Sequence, residues 1–173
     1  MRGCKMLATI GYERSTLADF IATLALAKIE VLIDIRERAQ SRRPGFSKVA
    51  LRDALESAGI EYMHLPELGD PKEGRDAARS GNLALFRKVF HTVMQTPKAG
   101  LALTTIEQLA ATKQVCLMCF ERDQSQCHRK IVSDSLEMRL GVKAHHLGVK
   151  LGAADDGSRR RVLYPDQGAA ASI

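Results

Sequence analysis

The chain has 173 residues, a mass of 19.0 kDa and a formal net charge of +6, and this length is typical of a single domain. Hydrophobic residues make up 45% and charged residues 27% of the chain, which excludes disordered and fibrous proteins. We expect no membrane-spanning helix, because no run of about 18 apolar residues occurs. Four cysteines are too few for a disulfide-rich secreted protein, so we predict a cytoplasmic protein with reduced thiols. The net positive charge favours anionic partners.

Short apolar runs alternate with helical patterns along most of the chain. The runs predict five strands, at residues 6–11, 30–36, 60–65, 115–120 and 145–149. Strands that alternate with helices favour a mainly parallel β-sheet flanked by helices. The predicted fold class is therefore α/β. We expect a single domain over residues 1–150 and a flexible or loosely docked tail over 151–173.

End signals predict the helices of the first half. The first helix is capped by Ser15 or Thr16, whose hydroxyl groups can accept a hydrogen bond from the first turn. The second helix opens at Ser47 and is closed by Gly59. A third helix carries apolar residues at helical spacing and stops before Pro97.

The rest of the chain is predicted to contain a loop and two further helices. Residues 66–81 are predicted to form a loop, because they contain glycines, a proline and many charges. The segment 104–107 resembles a capping box that opens a short helix. The last helix is predicted from about Cys127 to Gly141.

The strongest local feature joins the fourth strand to the last helix. Cys119 and Glu121 lie two residues apart, so on a strand their side chains can point the same way. Cys127, His128 and Arg129 fall in the first helical turn, where free N–H groups and the helix dipole favour anions and thiolates. Arg129 adds a planar bidentate donor for phosphate or carboxylate. These side chains converge on one turn, which predicts a functional site.

These cysteines allow three other interpretations. Cys116 and Cys119 have the spacing of a zinc pair, but residues three apart on a strand face opposite sides of the sheet. Cys127 and His128 are adjacent, and adjacent residues chelate a metal poorly. We therefore predict neither a metal nor a cofactor. A redox pair of Cys119 and Cys127 stays open if the loop between them folds back. Phosphatase or rhodanese chemistry is disfavoured, because no Cys and Arg flank a five-residue phosphate loop.

A basic segment follows the second strand. Asp34 and Arg36 share one face at its carboxyl end, where α/β folds bind ligands. Residues 36–48 carry five positive charges and one negative charge. Such a loop can bind phosphates and can stack a nucleic-acid base on its one aromatic residue, Phe46. The arginines expected to bind an anion are Arg36, Arg42, Arg43 and Arg129.

Two further strand ends supply candidates. Glu67 lies just past the third strand and could act as a general acid or base, or could hold an arginine in place. His64 lies within that strand and is interpreted as structural. Gly11 ends the first strand and would let the backbone approach a ligand. The residues expected to line the pocket are Gly11, Asp34 and Cys119.

Five motifs follow one another between residues 6 and 150. They are TIGY at 9–12, DIR at 34–36, SRRPGFS at 41–47, LPELG at 65–69, and C-x-E at 119–121 with C-H-R at 127–129. Together they resemble the bacterial and archaeal family called domain of unknown function 488, and the last motif is the most specific. The resemblance implies a compact cytoplasmic α/β domain and no established reaction. This sequence has Tyr12-Glu13 where many relatives carry His-Ser, and Asp70 where a second glycine is common.

The candidate residues support three functions. The first is an enzyme that acts on a phosphorylated or nucleotide-like small molecule, with Glu67 and Glu121 transferring protons or positioning the arginines. The second is a nucleic-acid-binding accessory module that uses the basic segment 36–48. The third is a thiol-based redox or sensor protein, in which Cys127, beside His128, is favoured as the reactive thiol.

Overall fold

The computed structural model describes residues 6–156 and contains one five-stranded sheet. Its strands are β1 (Leu7–Gly11), β2 (Val31–Asp34), β3 (Glu61–His64), β4 (Val115–Cys119) and β5 (Ala144–Leu147). Every neighbouring pair is parallel, and the strand order is β3-β2-β4-β1-β5. The predicted α/β fold with a parallel sheet is therefore confirmed. The tail prediction from residue 157 onward lies outside the described residues.

Helices connect the strands. They are α1 (Leu17–Leu26), α2 (Lys48–Ser57), α3 (Lys72–Arg79), α4 (Leu83–Met94), α5 (Pro97–Ala110) and α6 (His128–Leu140). Two short 3-10 helices occur at Pro66–Leu68 and Gln124–Gln126. Within residues 6–156, none of the helices has both the length and the apolar character that a membrane crossing requires.

The sheet separates two apolar cores. Along β4, Val115 and Leu117 face the core that also contains side chains of α3 to α6. Cys116 and Met118 face the second core, which contains side chains of α1 and α2. Both faces of the inner strands are covered, which explains why their sequences are continuous apolar runs.

The predicted ends of three helices are confirmed. Thr16 caps α1 by accepting a hydrogen bond from the backbone N–H of Asp19 at 3.1 Å. Cys127 is the N-cap of α6, and Gly141 ends that helix with a φ of 66°, a left-handed conformation that favours glycine. Ser47 directly precedes α2.

Two element predictions were wrong. The predicted loop over 66–81 contains α3, which buries only the small residues Gly74 and Ala77 and so lacks a visible apolar periodicity. The predicted short helix at 104–107 is the middle of α5, which begins at Pro97. Thr104 donates its hydroxyl hydrogen to a carbonyl four residues earlier, as a threonine within a helix does.

The strand order creates a crevice between β2 and β4. The chain leaves β2 toward β3 at one edge of the sheet and leaves β4 toward β5 at the other edge, so the connections diverge between these neighbouring strands. In parallel sheets, ligands bind at such a switch point, beyond the carboxyl ends of the strands. Asp34 ends β2 and Cys119 ends β4, and Asp34 lies opposite Met118 in the register. The fold thus places the last residues of β2 and β4 where a site is expected.

Candidate functional site

Three side chains from the end of β4 and the start of α6 form a compact cluster. Cys119 is the last residue of β4, Cys127 is the N-cap of α6, and His128 is the first residue of that helix. The segment between them turns back through the 3-10 helix at 124–126, where the Asp123 carboxylate accepts a hydrogen bond from the next turn at 2.9 Å. This turn brings the two cysteines together.

The His128 ring lies between the two sulfur atoms. Its Nδ1 is 3.7 Å from Sγ of Cys119 and 3.7 Å from Sγ of Cys127. Its Nε2 is 3.0 Å from the carbonyl oxygen of Ile35, and because a carbonyl only accepts, Nε2 carries the hydrogen. Phe90 packs edge-on against the ring. The three cluster residues are at most 5% exposed, so water is largely excluded.

The charges within this cluster distinguish the two thiols. Burial alone would raise the pKa of Cys119, but hydrogen bonds from Cys127 and His128 and the positive charge of His128 bring the pKa of Cys119 well below its ordinary value. Burial lowers the pKa of His128, but the Cys119 charge outweighs it and raises that pKa to about 9. Burial and the Cys119 charge raise the pKa of Cys127. The geometry therefore favours Cys119 as the thiolate, where the sequence favoured Cys127.

Glu121 connects this buried cluster to the surface. Its Oε2 lies 3.0 Å from Sγ of Cys119, although Glu121 lies two residues beyond the end of β4. Burial, followed by the charge of Cys119, raises the pKa of Glu121 to about 7. Its side chain is half-buried, so near neutral pH it can exchange a proton between solvent and the sulfur.

Gly11 and Arg129 hold the segment that carries Glu121. A Cβ on Gly11 would lie 1.8 Å from the carbonyl oxygen of Glu121, so the backbone after β4 crosses directly over the end of β1. The Arg129 guanidinium, only 1% exposed, donates to the carbonyl oxygens of Glu121 at 3.1 Å and Arg122 at 3.5 Å. The close approach that the sequence predicted at Gly11 is made by the protein's own backbone.

Arg36 and Asp34 form a buried ion pair below the basic segment. The Arg36 guanidinium donates to both carboxylate oxygens of Asp34, at 2.9 and 2.7 Å, and also to the Tyr12 hydroxyl and the Phe46 carbonyl oxygen. Asp34 is fully buried and Arg36 is 6% exposed. Phe46 is 1% exposed and stacks on Tyr12, so it is not available to stack a nucleic-acid base.

Other predicted residues lie apart from the cluster. Glu67 is exposed in the 3-10 helix at 66–68, and no contact with the cysteines is described for it within residues 6–156. Arg42 is exposed, and Arg43 donates to the carbonyl oxygen of Ser15 at 2.6 Å. Of the predicted residues, the structure therefore brings together Gly11, Cys119, Glu121, Cys127, His128 and Arg129.

A separate cavity of about 420 Å³ opens beside the start of α2. It is lined by Arg38, Ala39, Gln40, Lys48 and His64. His64 Nε2 lies 2.8 Å from the Arg36 carbonyl oxygen, which fits the structural role predicted for it. Sequence reasoning counted Arg38 and Lys48 only as part of the basic segment, because nothing in their neighbours marks a cavity.

Asp70 is a buried carboxyl group that the sequence did not select. It is 6% exposed, and its Oδ1 has no hydrogen-bond partner within the described part of the chain. Burial raises the pKa of Asp70 to about 6, although the positive charges of His128 and Arg75 oppose the shift. Asp70 packs against Gly74, where a Cβ would lie 2.0 Å from Oδ1. Only the fold of α3 reveals this position, because α3 was predicted as loop.

We expect the Asp70→Asn substitution to stabilise the protein near neutral pH. Because the pKa is raised, the folded protein binds this proton more tightly than the unfolded chain does, so the stabilisation is complete below the ordinary pKa of 3.8 and is lost as the pH rises through about 6. Asparagine stays neutral, so the free energy of unfolding should exceed that of the unsubstituted protein by about 1 kcal/mol near pH 7. Urea denaturation over this pH range measures the difference.

The matched control is Asp76→Asn. The hydrogen bond from Lys72 lowers the pKa of Asp76. Asp76→Asn should therefore change the pH dependence of the free energy of unfolding in the opposite direction to Asp70→Asn. If the free energy of unfolding changes with pH in the same way in Asp70→Asn and in the unsubstituted protein, the pKa of Asp70 is not raised by folding.

Comparison with known proteins gives one family. The model of the family described as Domain of unknown function DUF488 matches residues 16–136. This agrees with the resemblance that the motifs predicted. No curated protein and no solved structure matched the chain.

Proposed function

The chain belongs to the family described as Domain of unknown function DUF488, and from the geometry of its site we propose that it is a dithiol redox protein. In this proposal Cys119 reacts with a hydroperoxide and Cys127 resolves the product to a disulfide. The observation that carries it is the placement of both sulfur atoms within 3.7 Å of one His128 nitrogen and within 4.8 Å of each other. The cytoplasm is the proposed compartment, because its reducing conditions restore such thiols.

The first step oxidises Cys119. Its thiolate sulfur attacks one oxygen of the hydroperoxide, so that an S–O bond forms and the O–O bond breaks. The leaving alkoxide or hydroxide takes the proton of Glu121, whose Oε2 is 3.0 Å from the sulfur. The products are a sulfenic acid on Cys119 and an alcohol or water, and Glu121 regains its proton from solvent.

The second step forms the disulfide. The Cys127 sulfur attacks the sulfur of Cys119, the S–O bond breaks, and the hydroxide leaves as water with the proton of Cys127, which His128 Nδ1 transfers. The two sulfur atoms must close from less than 4.8 Å to about 2.05 Å. The two cysteines together lose two electrons and the peroxide gains them. A small-molecule dithiol, oxidised in turn, returns the pair to the thiol state.

Burial selects the class of oxidant. Cys119 is 3% exposed and Cys127 is 2% exposed, so a protein disulfide cannot reach either sulfur without unfolding the segment above them. A hydroperoxide is far smaller than a protein, and the half-buried side chain of Glu121 lies between the Cys119 sulfur and the surface. The site therefore favours a peroxide over a macromolecular substrate.

Peptide mapping after peroxide treatment tests the proposal. We expect the reduced full-length chain to lose two thiols and to yield a disulfide between two tryptic peptides, because cleavage after Arg122 separates Cys119 from Cys127. Cys119→Ser should lower the rate of oxidation at least about 100-fold. Cys127→Ser should accumulate a sulfenic acid that a 1,3-diketone traps on Cys119.

The matched control is Cys116→Ser, which removes the other thiol of β4 from the opposite face of the sheet. This variant should form the disulfide at the rate of the unsubstituted protein. If Cys119→Ser reacts as fast as Cys116→Ser, or if the unsubstituted chain stays reduced, the proposal fails.

A second candidate function is the binding of an anionic small molecule. The observation that favours it is the cavity beside α2, where Arg38 and Lys48 are exposed and have no ion-pair partner among residues 6–156. Two cations at the positive end of a helix suit a phosphate group. Titration with inorganic phosphate, a nucleotide and a short oligonucleotide distinguishes a small-molecule enzyme site from a nucleic-acid-binding surface, since only the latter gives a steep salt dependence.

A further inference from the structure

We infer that, in the reduced protein, Cys119, Cys127 and His128 bind one thiophilic metal ion, for which Zn²⁺ is the probe. The three donors are two sulfur atoms and one imidazole nitrogen, all within 4.8 Å of one another and all buried. This inference goes beyond the redox proposal and does not depend on it, because it requires only the reduced side chains. It also reverses the expectation from sequence, which took Cys116 and Cys119 as the zinc pair and judged the adjacent Cys127 and His128 to chelate poorly.

The distances between the donors fit a tetrahedral ion. Zinc bonds of about 2.3 Å to sulfur and about 2.0–2.1 Å to nitrogen, at tetrahedral angles, place a sulfur and a nitrogen ligand about 3.6 Å apart. The observed separations from His128 Nδ1 to the two sulfur atoms are both 3.7 Å. Both sulfur–nitrogen pairs therefore stand at the spacing that a bound ion needs, and the two sulfur atoms lie within 4.8 Å of each other.

The surroundings also orient the donors as in a metal site. His128 donates its Nε2 hydrogen to the Ile35 carbonyl oxygen, which fixes the ring and makes Nδ1 the atom that faces the two sulfur atoms. A bound ion would displace the proton from Nδ1, as metal ions do when they bind histidine. The backbone N–H of Arg129 points at Sγ of Cys127 at 3.4 Å. Such a hydrogen bond stabilises negative charge on a buried sulfur.

The charge balance favours a divalent ion. Two thiolates and one neutral imidazole neutralise a charge of +2, so the bound ion and its ligands can be buried at small electrostatic cost. Three protein ligands leave a fourth position of the tetrahedron for water or for a carboxylate oxygen. Glu121, with Oε2 3.0 Å from Sγ of Cys119, is an oxygen donor at this edge of the cluster.

Cobalt titration of the full-length chain, kept reduced by a phosphine, tests the inference. We expect one Co²⁺ per chain, with the visible bands of tetrahedral cobalt and a thiolate-to-cobalt charge-transfer band, and we expect Zn²⁺ to displace it. Cys119→Ser, Cys127→Ser and His128→Asn should each weaken Zn²⁺ binding at least about 100-fold in competition with a chromogenic chelator. Cys116→Ser and Cys4→Ser, which alter thiols outside the three-donor set, should bind as the unsubstituted protein does.

A thermal-shift measurement keeps the test valid if a variant folds poorly. Zn²⁺ should raise the Tm of the unsubstituted protein and of Cys116→Ser, because a ligand of the native state stabilises it. Cobalt binding without a charge-transfer band, or equal loss of affinity in Cys116→Ser, would overturn the inference. Peroxide-driven disulfide formation without any metal binding would leave the redox proposal standing and refute only the metal site. Metal binding without peroxide-driven disulfide formation would refute only the redox proposal.

Discussion

Asp34→Ala is expected to lower the free energy of unfolding by about 3–5 kcal/mol, because it leaves the Arg36 guanidinium buried without its counter-charge. Arg36 is 6% exposed and donates two hydrogen bonds to the Asp34 carboxylate, at 2.9 and 2.7 Å. The same carboxylate accepts a hydrogen bond from the Tyr62 hydroxyl at 2.6 Å, which the substitution also removes. Denaturant unfolding followed by circular dichroism measures the loss.

Two controls separate the ion pair from its neighbours. Tyr62→Phe removes one hydrogen bond and should cost about 1 kcal/mol. Asp53→Ala breaks the exposed ion pair with Arg52 and should change stability by less than about 1 kcal/mol. If Asp34→Ala is no more destabilising than Tyr62→Phe, Arg36 does not depend on Asp34.

Gly11→Ala is expected to lower the free energy of unfolding by about 3 kcal/mol and to slow the oxidation of Cys119. The added Cβ would lie 1.8 Å from the Glu121 carbonyl oxygen, and a backbone atom cannot rotate away as a side chain can. The segment above β1 must therefore move, and it carries Glu121 away from the Cys119 sulfur. Unfolding and the rate of peroxide oxidation should both be measured, because the two effects have one cause.

Gly100→Ala is the matched control. Gly100 lies inside α5, and a Cβ there would meet no atom within 4 Å. Alanine in a helix interior should stabilise the protein by up to about 1 kcal/mol and leave oxidation unchanged. A Gly11→Ala protein with normal stability and a normal rate would show that the backbone does not cross β1 this closely.

Local pattern was sufficient to predict the sheet and part of the site. The three inner strands were found because both of their faces are buried, which leaves continuous apolar runs such as Val115–Cys119. The edge strand β3 was found from its alternating residues. The contact between Cys119 and Glu121 was predicted from the two-residue period of a strand, and it is present although β4 ends at Cys119. The start of α6 at Cys127 followed from the apolar spacing beyond it.

What the sequence could not supply was the partner of each charged group. Arg36, Arg38 and Arg129 look alike along the chain, yet Arg36 is held by a buried carboxylate, Arg129 by two backbone carbonyls, and Arg38 lines an open cavity. The distance between Cys119 and Cys127 depends on a 3-10 turn that has no apolar signature. Such features arise from contacts between distant segments, and composition does not record them.

The position of β1 inside the sheet has a consequence for how the chain acquires its structure during synthesis. Leu7 pairs with Val115 and with Ala144, so both neighbours of this strand emerge from the ribosome roughly a hundred residues or more after it. Until then its two hydrogen-bonding edges stay open, and a chain interrupted before Ala144 leaves one of them available to other nascent chains. Co-translational folding of this protein should therefore be late and concerted, with Gly11 and Cys119 meeting only after most of the polypeptide is available.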